Sequence, residues 1–168
     1  MKKFQALILT LILTSCGVTV SYDYEKGTDF TQYKTYHYFD DMQTGFSQLD
    51  SKRFFTELDA ELQSKGFVLS ETPDFIIDVK SVTYQNQQSS SVGMGVGSGG
   101  GGMSVGIPIG QGSVSRQIIL DFVDGKTQKL LWQGVSREPT APENSPEART
   151  AQFKTVVLKL LEKYPPKK

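Results

Sequence analysis

From Ser81 to Ser115 the chain carries no charged residue, and glycine fills ten of the twenty positions from 93 to 112. Glycine has the most backbone entropy to lose on ordering, so such a stretch adds little to a packed core. Structureless loops beyond about 12–15 residues are uncommon inside compact domains. The core must therefore come from the blocks on either side, and residues 89–113 are expected to be a Gly-rich loop between two strands. The stretch is not purely polar. Val92, Met94 and Val96, then Met103, Val105, Ile107 and Ile109, fall at every second residue, the period of a strand. Met94, Met103 and Ile107 are accordingly candidate contact residues, should the loop act as an arm that touches a partner or the bilayer.

The block before the loop contains strand–helix–strand patterning. Lys34 to Phe39 alternates, with Tyr36 and Tyr38 on one face and Thr35, His37 and Phe39 on the other. Asp50 or Ser51 is placed to cap a helix reaching about Lys65, with Phe54, Phe55, Leu58 and Leu62 as its apolar stripe. Glu61 and Lys65 are ordered for an i,i+4 pair, and Gly66 suits the left-handed residue that ends a helix. A short strand, Phe67 to Ser70, and a longer one, Phe75 to about Tyr84, follow. After the loop, Val114 to Asp124 places Ile118, Leu120 and Phe122 on one face. Asp124-Gly125 opens a turn, and Lys129 to Ser136 returns with the single Trp132. Ser145, Pro146 and Glu147 then start the second helix, whose stripe is Phe153, Val156, Val157, Leu160, Leu161 and Tyr164. Two one-faced helices and about five strands predict an α+β, two-layer sandwich: a mainly antiparallel sheet with both helices on one face.

The first sixteen residues follow a different logic. Lys2 and Lys3 precede an apolar run, Phe4 to Leu13, of about ten residues, half the roughly twenty that span a bilayer as a helix. This is the layout of a secretory signal peptide. Leu13-Thr14-Ser15-Cys16 resembles the lipobox of bacterial lipoproteins, in which the Cys sulfur receives a diacylglycerol, the leader is cut before it and the new amino group is acylated, commonly with palmitate. Cys16 is the only cysteine. The expectation is a leader at 1–15 that is removed, a lipidated tether at 16–30 with an edge strand conceivable where Val18, Val20, Tyr22 and Tyr24 alternate, and one domain at 31–168. Gly17, rather than Asp, after the Cys resembles the outer-membrane sorting pattern of enteric lipoproteins, with the domain in the periplasm.

Charge narrows the partners. The chain balances 18 basic against 18 acidic residues. Losing Lys2 and Lys3 leaves the mature chain at a net −2, without the basic face that nucleic acid requires. The membrane, through the lipid on Cys16, and an envelope protein or glycan are the expected partners, with no cofactor.

Several segments resemble a bacterial lipoprotein family known as domain of unknown function 4136. The likeness rests on Asp29-Phe30 with Tyr33-Lys34-Thr35-Tyr36, Pro73-Asp74-Phe75, Leu120-Asp121-Phe122-Val123-Asp124, Lys129-Leu130-Leu131-Trp132-Gln133-Gly134, and the ending helix with Tyr164-Pro165. It implies a lipid-anchored α+β envelope domain and carries no catalytic residues to transfer.

Weighed for chemistry, the residues favour a non-enzymatic role. Gly125-Lys126-Thr127 mimics the end of a phosphate-binding loop, but it joins strand to strand and lacks the partner glycine. His37 is the only histidine, so a metal site lacks its usual companions. Asp40, Asp41 and Asp50 would serve as a glycosidase pair only in a cleft that raises one pKa. Asp121, on a strand face between Ile119 and Val123, calls for a partner such as Arg116 or Lys129. Tyr22, Tyr24, Tyr36 and Tyr38 offer an aromatic contact surface for a peptide, a small ligand or a glycan. The reading is a binding or scaffold protein of the cell envelope, with a glycan or small-ligand binder second and a carboxylate hydrolase third.

Overall fold

The computed structural model describes residues 17–86, 113–139 and 145–166. The leader, Cys16, the Gly-rich positions from 87 to 112 with Met94, Met103 and Ile107, and the link 140–144 lie outside them. Six strands form one open mixed sheet: β1 (Thr19–Tyr24), β2 (Thr35–Tyr38), β3 (Val68–Leu69), β4 (Phe75–Asn86), β5 (Ser113–Asp124) and β6 (Leu130–Pro139). Their spatial order is β1-β6-β5-β4-β2-β3. The pairings from β1 to β4 are antiparallel, while β2 runs parallel to both β4 and β3. The sixth strand is β1, so the alternating part of the expected tether, Thr19–Tyr24, is an edge strand of the sheet.

Helix α1 (Gln48–Ser64) and helix α2 (Pro146–Leu161) pack on one face. Register decides what they cover. Ile77 is opposite Phe122 and Val79 opposite Leu120, while Phe122 is opposite Trp132. These side chains, with Phe75 and Ile118, meet Phe54, Leu58 and Leu62 of α1 and Phe153, Val156, Val157, Leu160 and Leu161 of α2 in one buried core. Each fully buried large apolar side chain contributes roughly 1.5–3 kcal/mol, so the stripes read from the sequence are what join helices to sheet. Gly134 is fitted to this core: a Cβ there would collide with the Trp132 indole and lie 3.1 Å from Leu160. The opposite face carries Ile76, Ile119, Val123 and Val135, each half-buried, and no described helix covers it.

The helix starts show what each polar residue does. Ser145 caps α2 by accepting from the Ala148 N–H at 3.2 Å, with Pro146 in the first turn. For α1 the expected cap was Asp50 or Ser51, but Ser47 takes that place, accepting from the Asp50 N–H at 3.2 Å. Asp50 is instead buried and grips Arg53 and Arg149, each at 2.9 Å, linking the first turns of the two helices. The Glu61–Lys65 pair forms at 3.5 Å, and Gly66 adopts φ 88° beyond the end of α1.

Candidate contact surface

The four candidate tyrosines separate into two environments. Tyr36 is fully buried and Tyr38 half-buried, because β2 is flanked by β4 and β3 and faces α1. Both hydroxyls donate to the same carboxylate oxygen of Asp59, at 2.7 and 2.6 Å. Burial, reinforced by that carboxylate, pushes both phenols well above their ordinary range. They tie α1 to the sheet, a correction to their place in the expected surface: Tyr36 is wholly inside, and Tyr38 keeps only a half-buried edge. Tyr22 and Tyr24, on the edge strand β1, are 41% and 39% exposed.

Beside them runs a groove between β1 and the last turns of α2. One part, ≈ 220 Å³, is lined by Val18, Val20, Tyr22, Lys159, Glu162 and Lys163. A second, ≈ 380 Å³, adds Tyr24, Pro165 and Pro166. The Lys163 ammonium lies 5.2 Å from the centre of the Tyr22 ring, a cation–π distance that holds the ring's position. Lys159 donates to the Val18 carbonyl at 3.0 Å. The signal for this groove lay in the alternation of Val18, Val20, Tyr22 and Tyr24. The α2 residues that wall it, on the polar side of a helix, gave none.

The carboxylates of interest also find their neighbours. Asp121 is half-buried and opposite Asp78 on the uncovered sheet face. The expected partners Arg116 and Lys129 are wrong. Arg116 stands an odd number of residues away and so points to the helix side, while Lys129 is in the turn. Gln133 donates to Asp121 at 2.8 Å, and Lys80 pairs with Asp78 at 2.7 Å. Desolvation raises the Asp121 carboxyl despite these donors.

Asp40 and His37 line an open depression of ≈ 380 Å³ with Tyr38, Glu71 and Gln128. There the His37 Nδ1–H donates to the Tyr38 carbonyl at 2.9 Å, and Nε2 is 3.7 Å from Glu71. Asp50 is held in the helix clasp by Arg53 and Arg149 and does not line this depression. No group of three or more potential metal ligands occurs among the described residues.

One charged cluster was not foreseen. Glu138 is 2% exposed, accepts from Gln152 at 2.9 Å and stands 4.0 Å from Arg116. The guanidinium is 5.9 and 5.6 Å from the Phe46 and Phe153 ring centres. Burial raises the Glu138 carboxyl. The cluster joins β5, β6, α2 and the loop before α1, a structural clasp inside the sandwich.

The resolved geometry has relatives among solved structures. A PDZ domain protein from Parabacteroides distasonis superposes with a TM-score of 0.61 at 14% identity, covering 99% of this chain and 41% of that one. This chain thus spans about two fifths of that protein's length. A PelC dodecamer from Paraburkholderia phytofirmans gives 0.51 at 8% identity, covering 86% of this chain and 94% of that one. A variant of the same PelC gives 0.50 at 9% identity over 85% and 96%. At these identities the likeness is one of fold. No curated protein matches the chain. The residues that place Tyr33, Asp74, Asp124 and Trp132 in this fold lie within a longer match, and the chain belongs to the family described as Domain of unknown function (DUF4136), whose model matches residues 20–166.

Proposed function

We propose that this is a lipid-anchored cell-envelope protein with a non-enzymatic binding or scaffold role, held at the outer membrane with its domain in the periplasm. The observation that carries the reading is the chain's entry into the fold. The Leu13-Thr14-Ser15-Cys16 pattern is followed after two residues by an ordered strand, with two exposed tyrosines and a groove beside them. No helix among the described residues is long and apolar enough to cross a membrane, so attachment through lipid at Cys16 is the means this reading assigns. Two or more acyl chains make such a tether stable, where one is marginal.

The test is mass spectrometry of the membrane-extracted protein together with crosslinking in intact cells. Residue 16 should carry a diacylglycerol and an acylated amino group, and Cys16→Ala should leave the membrane fraction and lose its crosslinked partners. An unmodified Cys16 on a protein that still has its leader would end the proposal.

A glycan or small-ligand binder is the second reading, favoured by Tyr22 and Tyr24 beside Glu162 and Lys163. Tyr22→Ala with Tyr24→Ala would abolish retention on a peptidoglycan or oligosaccharide column if it is right. Unchanged retention would remove it.

A further inference from the structure

The chain enters the sheet with almost no slack. Gly17, at φ 47°, is packed where a Cβ would be 3.4 Å from the Pro139 ring at the end of β6. The next carbonyl, of Val18, accepts from Lys159, and Thr19 is already paired with Arg137. Gly17 is therefore fixed beside Pro139 at the end of β6, one residue after the predicted lipidation position. A tether of only Gly17 and Val18 extends to roughly 7 Å. That is short against β5, whose twelve residues reach about 37 Å at about 3.4 Å per step.

The same end of the sheet collects the finish of β4, the start of β5, the finish of β6 and the first turn of α2. Its strand ends are chemically distinctive. Residues 81–86 and 113–115 carry no charge, and Arg137 is exposed opposite Thr19. Glu147 is the exposed acid in the first turn of α2. The other end is built of charged turns containing Glu25, Lys26, Asp29, Glu71, Lys126 and Lys129, all exposed. The two-residue tether leaves from the entry end, where Gly17 packs on Pro139 and Thr19 pairs with Arg137, so that is the end brought against lipid headgroups.

We propose that the sheet end formed by Gly17, the Thr19–Arg137 pair, Pro139 and the first turn of α2 is seated on the phospholipid headgroups. The domain then stands on the bilayer with its charged turns pointing away. This rests on the lipid-anchor reading and adds to it a fixed orientation and a docking face whose partner is the membrane surface itself.

Lipid consumes the sulfur of Cys16, so an introduced thiol becomes the one labelling site of the mature chain. The full chain, lipidated in cells and placed in phosphatidylethanolamine/phosphatidylglycerol vesicles, would carry a fluorophore in four separate variants. Arg137→Cys and Ala148→Cys mark the entry end, and Lys26→Cys and Lys126→Cys mark the turn end. All four positions are exposed, and thermal melts would verify that each variant folds. With a nitroxide quencher on the lipid headgroups, quenching at the entry-end positions should exceed that at the turn-end positions at least threefold. Equal quenching at both ends, or the reverse order, on protein whose Cys16 carries diacylglycerol by mass, would overturn the orientation while leaving the anchor intact. Absence of diacylglycerol on Cys16 would overturn the anchor and the orientation together.

Discussion

The two ends of the sheet are built on different principles. At the turn end, backbone and carboxylates are stitched together. Asp74 accepts from the Lys34 and Thr35 N–H groups at 2.8 and 2.9 Å, and those bonds, Lys34's foremost, hold its carboxyl below the usual carboxylate range. Asp124 accepts from the Lys126 and Thr127 N–H groups and from the Tyr33 hydroxyl at 2.7 Å. The Thr127 bond leads in lowering Asp124 to about 2. Burial and the Asp124 bond push Tyr33 up to about 12. Behind these turns Phe30, Phe67, Phe75, Phe122, Trp132 and Tyr164 stack ring on ring at centroid separations of 4.6–6.2 Å. At the entry end the chain comes in and out; uncharged polar residues finish β4 and start β5, while Arg137, Glu138 and Pro139 close β6. The contrast teaches that the turn end uses its ionised carboxylates on backbone N–H groups, whereas the carboxylates nearer the entry end are held in side-chain clasps, Asp50 with Arg53 and Arg149 and Glu138 with Arg116 and Gln152.

Substitutions can break or sharpen that contrast. Trp132→Ala, at the centre of the ring stack, should cost about 3–5 kcal/mol and lower the urea midpoint more than any change at the entry end. Asp74→Ala removes an ionised acceptor from two backbone N–H groups and should cost about 1.5–3 kcal/mol by the same measurement. Gly125→Ala should cost about 1–3 kcal/mol, since its Cβ would lie 2.5 Å from the Pro73 carbonyl oxygen and 3.1 Å from that of Asp74. A neutral thermal melt for this variant would show that the turn end is not rigid.

Asp124 predicts a pH effect of defined sign. Its folded pKa lies below the ordinary value of 3.8, so its contribution is present above about pH 4 and is lost as pH falls toward 2. Solvent screening keeps this at about 1 kcal/mol or less. Asp124→Asn should therefore lose less stability than the parent between pH 5 and pH 2.5 in urea titrations. Asp121 and Glu138, raised by burial, act with the opposite sign: each favours the folded state as it is protonated. The smallest effect belongs to the uncovered face, where Val82, 48% exposed, should tolerate Thr within about 0.5 kcal/mol.

The sandwich itself was readable because its signals are periodic. The stripes of both helices, the parity of Tyr36 and Tyr38, and the faces of β4 and β5 each follow from spacing alone. What spacing cannot supply is the identity of a strand's neighbour. Tyr22 and Tyr36 stand in similar alternating runs, yet one strand is an edge and the other is flanked, and only the sheet order separates a contact residue from a core residue. Asp50 looked like a cap because cap-type residues cluster at 47, 50 and 51. Of its two real partners, Arg53 is one turn on and Arg149 is ninety-nine positions away. Gly134 could be seen as a glycine but not as a seat for the Trp132 ring, since that requires Leu160 on the other side.

The pairing of Thr19 with Arg137 spans 118 residues, and this long span sets an order of events. The first strand of the domain can pair only once the sixth has been made, and so distant a contact carries a loop-closure entropy cost. Without β6, the strand that follows Gly17 has no sheet neighbour to pair with. The strand beside Cys16 thus depends for its place on a partner 118 residues further along the chain.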